Sequence, residues 1–178
     1  GFSAPRKTLS SIASWLVVSP LFSFVTLAST STIAEAASTS CSGATCTVTF
    51  GSAGATDSWT VPAGVTSITI YLKGAAGGQG GNDGRGYAST GNAGYVYGTI
   101  SVTPGTTINV AIGTGGANGP GCYANMIGGS GGTNAWGYNG GSGGYSGQIG
   151  CSGSGGGGGA ATVLRISGYN DVVAAGAG

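Results

Sequence analysis

The chain has 178 residues, of which 41 are glycine, with five Lys or Arg, four Asp or Glu and no His. So few cations cannot make the basic patch a nucleic-acid binder needs, and near-zero net charge excludes a charged disordered tail. Five prolines and no strict Gly-X-Y period exclude collagen, and the shortage of His and carboxylates removes most acid–base and nucleophilic mechanisms.

Residues 1–40 differ in composition from the rest. Arg6 and Lys7 form a short positive start, and an apolar stretch from Ile12 to Ala28 follows, broken by Ser and by Pro20. Ala34-Glu35-Ala36 then supplies small residues at a cleavage site, so the expectation is a secretory signal peptide cut after Ala36. An uncleaved anchor is the rival reading, but the stretch is short and interrupted for a bilayer span. Cleavage removes Arg6, Lys7 and Glu35 and leaves three cations and three anions. No membrane span is then expected, and a neutral surface favours self-association. Residues 37–44 read as a short linker and 45–178 as a glycine-rich β domain.

The strand pattern starts at Cys46, Val48 and Phe50, which alternate with threonines. Ser58 to Val61 reads as a short strand, followed by a Pro62-Ala63-Gly64 turn. Ile68, Ile70 and Leu72 alternate with Thr69, Tyr71 and Lys73. Val96, Gly98, Ile100 and Val102 share a face opposite Tyr95, Tyr97, Thr99 and Ser101. After Pro104-Gly105, Ile108, Val110 and Ile112 alternate again. Thr162 to Ile166 and Tyr169 to Val173 close the pattern around Gly168. Period-two alternation in Thr-, Val-, Ile- and Tyr-rich segments is the half-buried strand signal. The expected fold class is all-β, an antiparallel β-sandwich of jelly-roll type. Phe50 and Trp59 are assigned to its core.

Between Gly74 and Gly159 lie 33 of the glycines. One reading is flexible loops. The other is ordered packing of extended threefold helices, which have no internal hydrogen bonds and must satisfy their backbone from chain to chain. Attachment to strand ends and a bracketing pair of cysteines favour packed tracts of polyglycine-II type. Cys41, Cys46, Cys122 and Cys151 form an even set behind a secretory leader, which reads as two disulfides. Three connectivities exist. Proximity favours Cys41–Cys46, and the dense glycine stretch favours Cys122–Cys151 as its clip. No metal site is expected, because no CxxC pair and no His is present.

The run Ser58 to Gly78, with its Trp-Thr-Val-Pro-Ala-Gly-Val turn feeding a strand and a glycine tract, resembles the opening of bacterial secreted glycine-rich domain proteins. Gly98 to Gly113 resembles the second hairpin of that family, and Gly155 to Arg165 with Val172 to Gly176 its third signature. The match covers roughly 42–178. In that family the last Val-Ala-Ala-Gly strand leads into a further glycine tract, whereas this sequence reaches Gly178. The pattern is also similar to the glycine-rich domain of anaplastic lymphoma kinase-type receptor ectodomains, without any kinase domain. That resemblance implies polyglycine helices packed beside a jelly-roll-like β module. Phage tail-fibre adhesin tips use similar packing.

Asp57, Asp83 and Asp171 are the only acids after residue 36, and their spacing suggests no catalytic pair. Asp83-Gly84-Arg85 reads as a turn with a local ion pair. No enzyme activity, catalytic residue or cofactor is expected. The aromatics inside the glycine-rich part, Tyr123, Trp136, Tyr138 and Tyr145, either pack locally or form a ligand-binding surface. In the second case Asn125, Asn134 and Asn139 supply hydrogen bonds. The functional expectation is a secreted or cell-surface structural or adhesion module. Its partners would be cell-envelope glycans or further copies of itself. The alternative is a lectin-like recognition module that uses those aromatics.

Overall fold

The computed structural model describes residues 37–42, 45–122, 127–147 and 151–178. The leader, Tyr123 and Asn125 lie outside them. The described residues form eight strands and no helix: β1 (Ser38–Ser42), β2 (Thr45–Thr49), β3 (Thr56–Thr60), β4 (Ser67–Lys73), β5 (Tyr95–Ser101), β6 (Thr107–Ala111), β7 (Thr162–Ile166) and β8 (Val172–Ala174). Every pairing is antiparallel. The fold is therefore all-β.

One sheet runs β3-β6-β7-β8, and β4 pairs with β5 in a second. The inward residues of both meet in one core, where Ile70 and Leu72 of β4 join Ile108 and Val110 of β6 and Leu164 and Ile166 of β7. Burying such a side chain contributes about 1.5–3 kcal/mol. Phe50 and Trp59 are half-buried and pack against this cluster, not inside it. Gly64 and Gly105 end the two Pro-led turns with φ of 83° and 84°, a left-handed conformation that glycine adopts without a Cβ penalty. Tyr169 sits in the turn between β7 and β8, where sequence alternation had placed a strand. Its hydroxyl donates to the Ser101 carbonyl at 3.0 Å and ties this turn to the other sheet.

The stretch expected to be a linker instead supplies β1, which pairs with β2 through Cys41↔Cys46. Threonine favours extended backbone beside a partner strand, and the Cys41–Cys46 disulfide holds the pair together. The Ala37 amide anchors the hairpin by donating to Asp57 Oδ2 at 2.9 Å.

The glycine tracts are ordered. Tract 153–161 runs through the middle of a bundle. From the first tract, Ala75, Gly78 and Gly81 donate to the carbonyls of Ala160, Gly157 and Ser154. Ser154, Gly157 and Ala160 donate in turn to Pro120, Ala117 and Thr114. Gly129 and Gly132 donate to Gly155 and Gly158, while Gly155, Gly158 and Ala161 donate to Gly144, Gly141 and Tyr138. Gly159 donates to Ala177, and Ala177 to Ala75. Each series advances by three residues, the repeat of an extended threefold helix. Neighbouring tracts also bond to one another, as in Gly116 to Ala76, Ala117 to Ser130 and Gly140 to Gly132. A Cβ added at Gly116, Gly132, Gly140, Gly156 or Gly157 would fall under 3.0 Å from a neighbouring backbone carbonyl. Glycine is required there by close approach. The Cys122–Cys151 disulfide clips two tracts of this bundle.

Candidate functional site

The segment between tracts 128–133 and 138–147 crosses the outer face of the four-stranded sheet. Asn134 fixes it there. This side chain is only 6% exposed, and its amide nitrogen donates to the carbonyls of Ala111 at 3.1 Å and Ala161 at 2.8 Å. Its Oδ1 accepts the Trp136 amide at 2.8 Å, and the Asn134 amide donates to Asn139 Oδ1 at 2.7 Å. The expectation that Asn134 offers hydrogen bonds to a ligand is thus corrected. Its polar atoms are consumed in joining a strand carbonyl to a tract carbonyl and in closing the turn onto Trp136.

The fixed turn brings two of the aromatics singled out in the sequence to one place. Trp136 lies over Arg165, with the guanidinium carbon 4.3 Å from the ring centroid, the geometry of a cation–π contact. Arg165 Nε donates to both oxygens of Asp171 at 2.9 Å, and its Nη2 lies 2.9 Å from Oδ2. The Tyr138 hydroxyl donates to Asp171 Oδ2 at 2.9 Å. The hydrogen bonds from Arg165, and then the one from Tyr138, hold the Asp171 carboxyl below the usual carboxylate range. The Asp171 hydrogen bond raises the Arg165 guanidinium further still. Both groups are therefore charged across the physiological range.

An open recess of about 680 Å³ adjoins this cluster, lined by Thr107, Asn109, Arg165, Tyr169 and Asp171 among others. Asn109 and Arg165 are direct cross-strand partners on β6 and β7, and both are exposed. The recess thus presents an amide, hydroxyls and an aromatic ring around an ion pair that is already satisfied. Such a surface can hydrogen-bond and stack on a polar ligand without titrating against it.

Tyr145 is exposed on tract 138–147 and is not among the residues lining the recess. Asp83 and Arg85 form a turn in which the Arg85 amide donates to Asp83 Oδ1 at 2.9 Å. A second aromatic surface was not anticipated from the sequence. On the outer face of the β4–β5 pair, Tyr71 is the register partner of Tyr97, and the Tyr71 and Tyr95 ring centroids are 6.0 Å apart. These three rings are 64%, 71% and 70% exposed in the order Tyr71, Tyr97, Tyr95. Alternation puts each on the outer face, but only the register brings them side by side.

Among the described residues no group of His, Cys, Asp and Glu is arranged to hold a metal ion, and no helix is long and apolar enough to cross a membrane. Comparison with curated proteins and with solved structures gave no match. The family model described as a glycine-rich domain matches residues 47–178, which spans β3 to β8, the tracts and the aromatic cluster set out above, and the chain belongs to that glycine-rich domain family.

Proposed function

We propose that this protein is a non-enzymatic structural or adhesion module that works outside the cell. The observation that carries this reading is the tract bundle. Its backbone groups pair from tract to tract at three-residue intervals, so loops that would otherwise be mobile become a stiff body mounted on a β core. Two disulfides favour an oxidising compartment, and the apolar leader with its small-residue cleavage site supports export. Amide hydrogen exchange with the disulfides intact tests the rigidity on which the module depends. Protection of Gly157, Gly158 and Ala117 comparable to that of β6 is expected. Exchange as fast as in an unfolded chain would overturn the reading.

A second reading is recognition of a cell-envelope glycan at the recess beside Arg165. Its support is that Asn109 lines the recess with Arg165 and Asp171, and that Trp136 and Tyr138 contact those two charged residues. Saturable binding to a glycan and envelope panel, lost in Trp136→Ala, is the expected result. No saturable binding by folded protein would exclude it.

A further inference from the structure

β3 carries a charge where its pattern calls for an apolar residue. Its burial alternates, with Asp57 and Trp59 half-buried and Thr56, Ser58 and Thr60 exposed. Trp59 packs against the core, and alternation puts Asp57 on the same side of the strand. The cross-strand partner of Asp57 is Val110, which is buried in that core. A carboxylate partly withdrawn from water in this way costs free energy unless it is paired.

The pairing is incomplete. Asp57 Oδ1 accepts the Ser58 amide at 2.7 Å, and Oδ2 accepts the Ala37 amide at 2.9 Å. Both donors are neutral amides. No cation pairs with Asp57 among the described residues. β6, its neighbour in the sheet, has no charged residue. Neither has β1, which follows Ala37, nor β2, the partner of β1. Asp57 is the one charged residue of β3.

One of the two donors is the nitrogen that loss of the leader would free. Ala34 and Ala36 are the small residues that precede the Ala36–Ala37 bond. Hydrolysis of that bond by a signal peptidase adds one water across it. Ala36 departs with the leader as a carboxylate. The Ala37 nitrogen takes up a proton and becomes an ammonium. The new cation stands where the amide stands, 2.9 Å from Asp57 Oδ2. A hydrogen bond between two charged groups is about twice as strong as one between neutral groups.

We infer that Asp57 is the receptor for a new N-terminus at Ala37. Removal of the leader turns a neutral hydrogen bond into an ion pair, which supplies the missing counter-charge and fastens the β1–β2 hairpin to β3. The position of the cut is decisive, because a cut one residue away moves the ammonium about 3.3 Å along the chain. The inference rests on the export part of the proposed function and deepens it by assigning the group that receives the processed end.

The test expresses the chain with its leader in a secreting host and sequences the exported protein from its N-terminus. Ala37 is the expected first residue. Another first residue overturns the inference and leaves export standing, whereas a chain kept inside the cell with its leader overturns both. In the exported protein, the α-amino nitrogen of Ala37 is then followed by its 15N shift against pH. It should titrate above the ordinary α-amino range of about 7.7–8.0, because a neighbouring carboxylate favours the charged form. Asp57→Asn should return it to that range. One glycine inserted between Ala36 and Ala37 keeps Asp57 and the Ala37 amide but displaces the ammonium, and it should have the same effect. An α-amine that titrates in the ordinary range, or one raised equally in the unaltered protein and in both variants, would overturn the inference.

Discussion

The Gly157 amide donates to the Ala117 carbonyl at 2.8 Å, and this bond between a buried glycine and a neighbouring tract sets how close the two backbones run. The Gly157 carbonyl accepts from Gly78 at 2.7 Å on another side. A Cβ at Gly157 would come under 3.0 Å from the Ser130 carbonyl. Gly157→Ala must therefore push a third tract away, and overpacking of this kind costs about 3 kcal/mol. Gly144→Ala, by contrast, meets nothing and should stabilise the fold by about 0.4–1 kcal/mol through the unfolded chain. Thermal or denaturant unfolding of the two variants should move in opposite directions.

The two disulfides should differ in what they hold. Cys122–Cys151 closes a separation of 29 residues across the tract bundle, and in the chain-entropy model such a loop stabilises by about 3.5 kcal/mol. Replacing both residues by serine should lower the stability of the whole bundle. Cys41–Cys46 closes a separation of five inside the β1–β2 hairpin. Its loss should free the amides of that hairpin to exchange while β6 and β7 keep their protection. Global unfolding measured beside amide exchange separates the two effects.

Sequence alternation located most of the strands because the β3-β6-β7-β8 and β4-β5 sheets each turn one face to the core, and Ile68, Ile70 and Leu72 follow that period directly. Cys41↔Cys46 shows where alternation was insufficient: β1 has no buried face, so no apolar period marks it. Register was equally hidden. Tyr71 and Tyr97 lie far apart in sequence, and nothing local says they face each other. The cluster at Arg165 was half legible. Trp136 and Tyr138 drew notice as aromatics among glycines, but Asp171 and Arg165 looked ordinary until the β7–β8 turn placed them within hydrogen-bonding distance. Asn134 was misread because its role depends on two carbonyls, of Ala111 and Ala161, that only the fold brings together.

The Asp171 carboxyl offers a pH test. Its folded pKa is depressed, first by the Arg165 hydrogen bonds and then by Tyr138. The stability it contributes is therefore present above the unfolded carboxylate pKa and lost as pH falls through the lower folded value. Tyr138→Phe removes one donor and should shift the Asp171 titration upward, towards the ordinary carboxylate value. Arg165→Gln should shift it further, since the guanidinium is the larger influence. Carboxyl chemical shifts followed against pH would read both, and an unmoved Asp171 titration in Arg165→Gln would contradict the arrangement.

Asn134 holds the aromatic turn against the sheet, so its loss should be felt at Trp136 as well as in stability. Asn134→Ala leaves the buried carbonyls of Ala111 and Ala161 without the donor that now joins them, and unsatisfied buried groups of this kind cost about 1–3 kcal/mol each. It also releases the Trp136 amide from its Oδ1 partner. The indole should then leave the Arg165 guanidinium and gain exposure, with a red-shifted emission and stronger quenching by a soluble quencher. Asn134→Asp keeps the Oδ1 acceptor for Trp136 but sets a carboxylate against two carbonyl oxygens, so it should destabilise the fold more than Asn134→Ala does. If Asn134→Asp proved the milder substitution, the two carbonyl bonds would not be what anchors the turn.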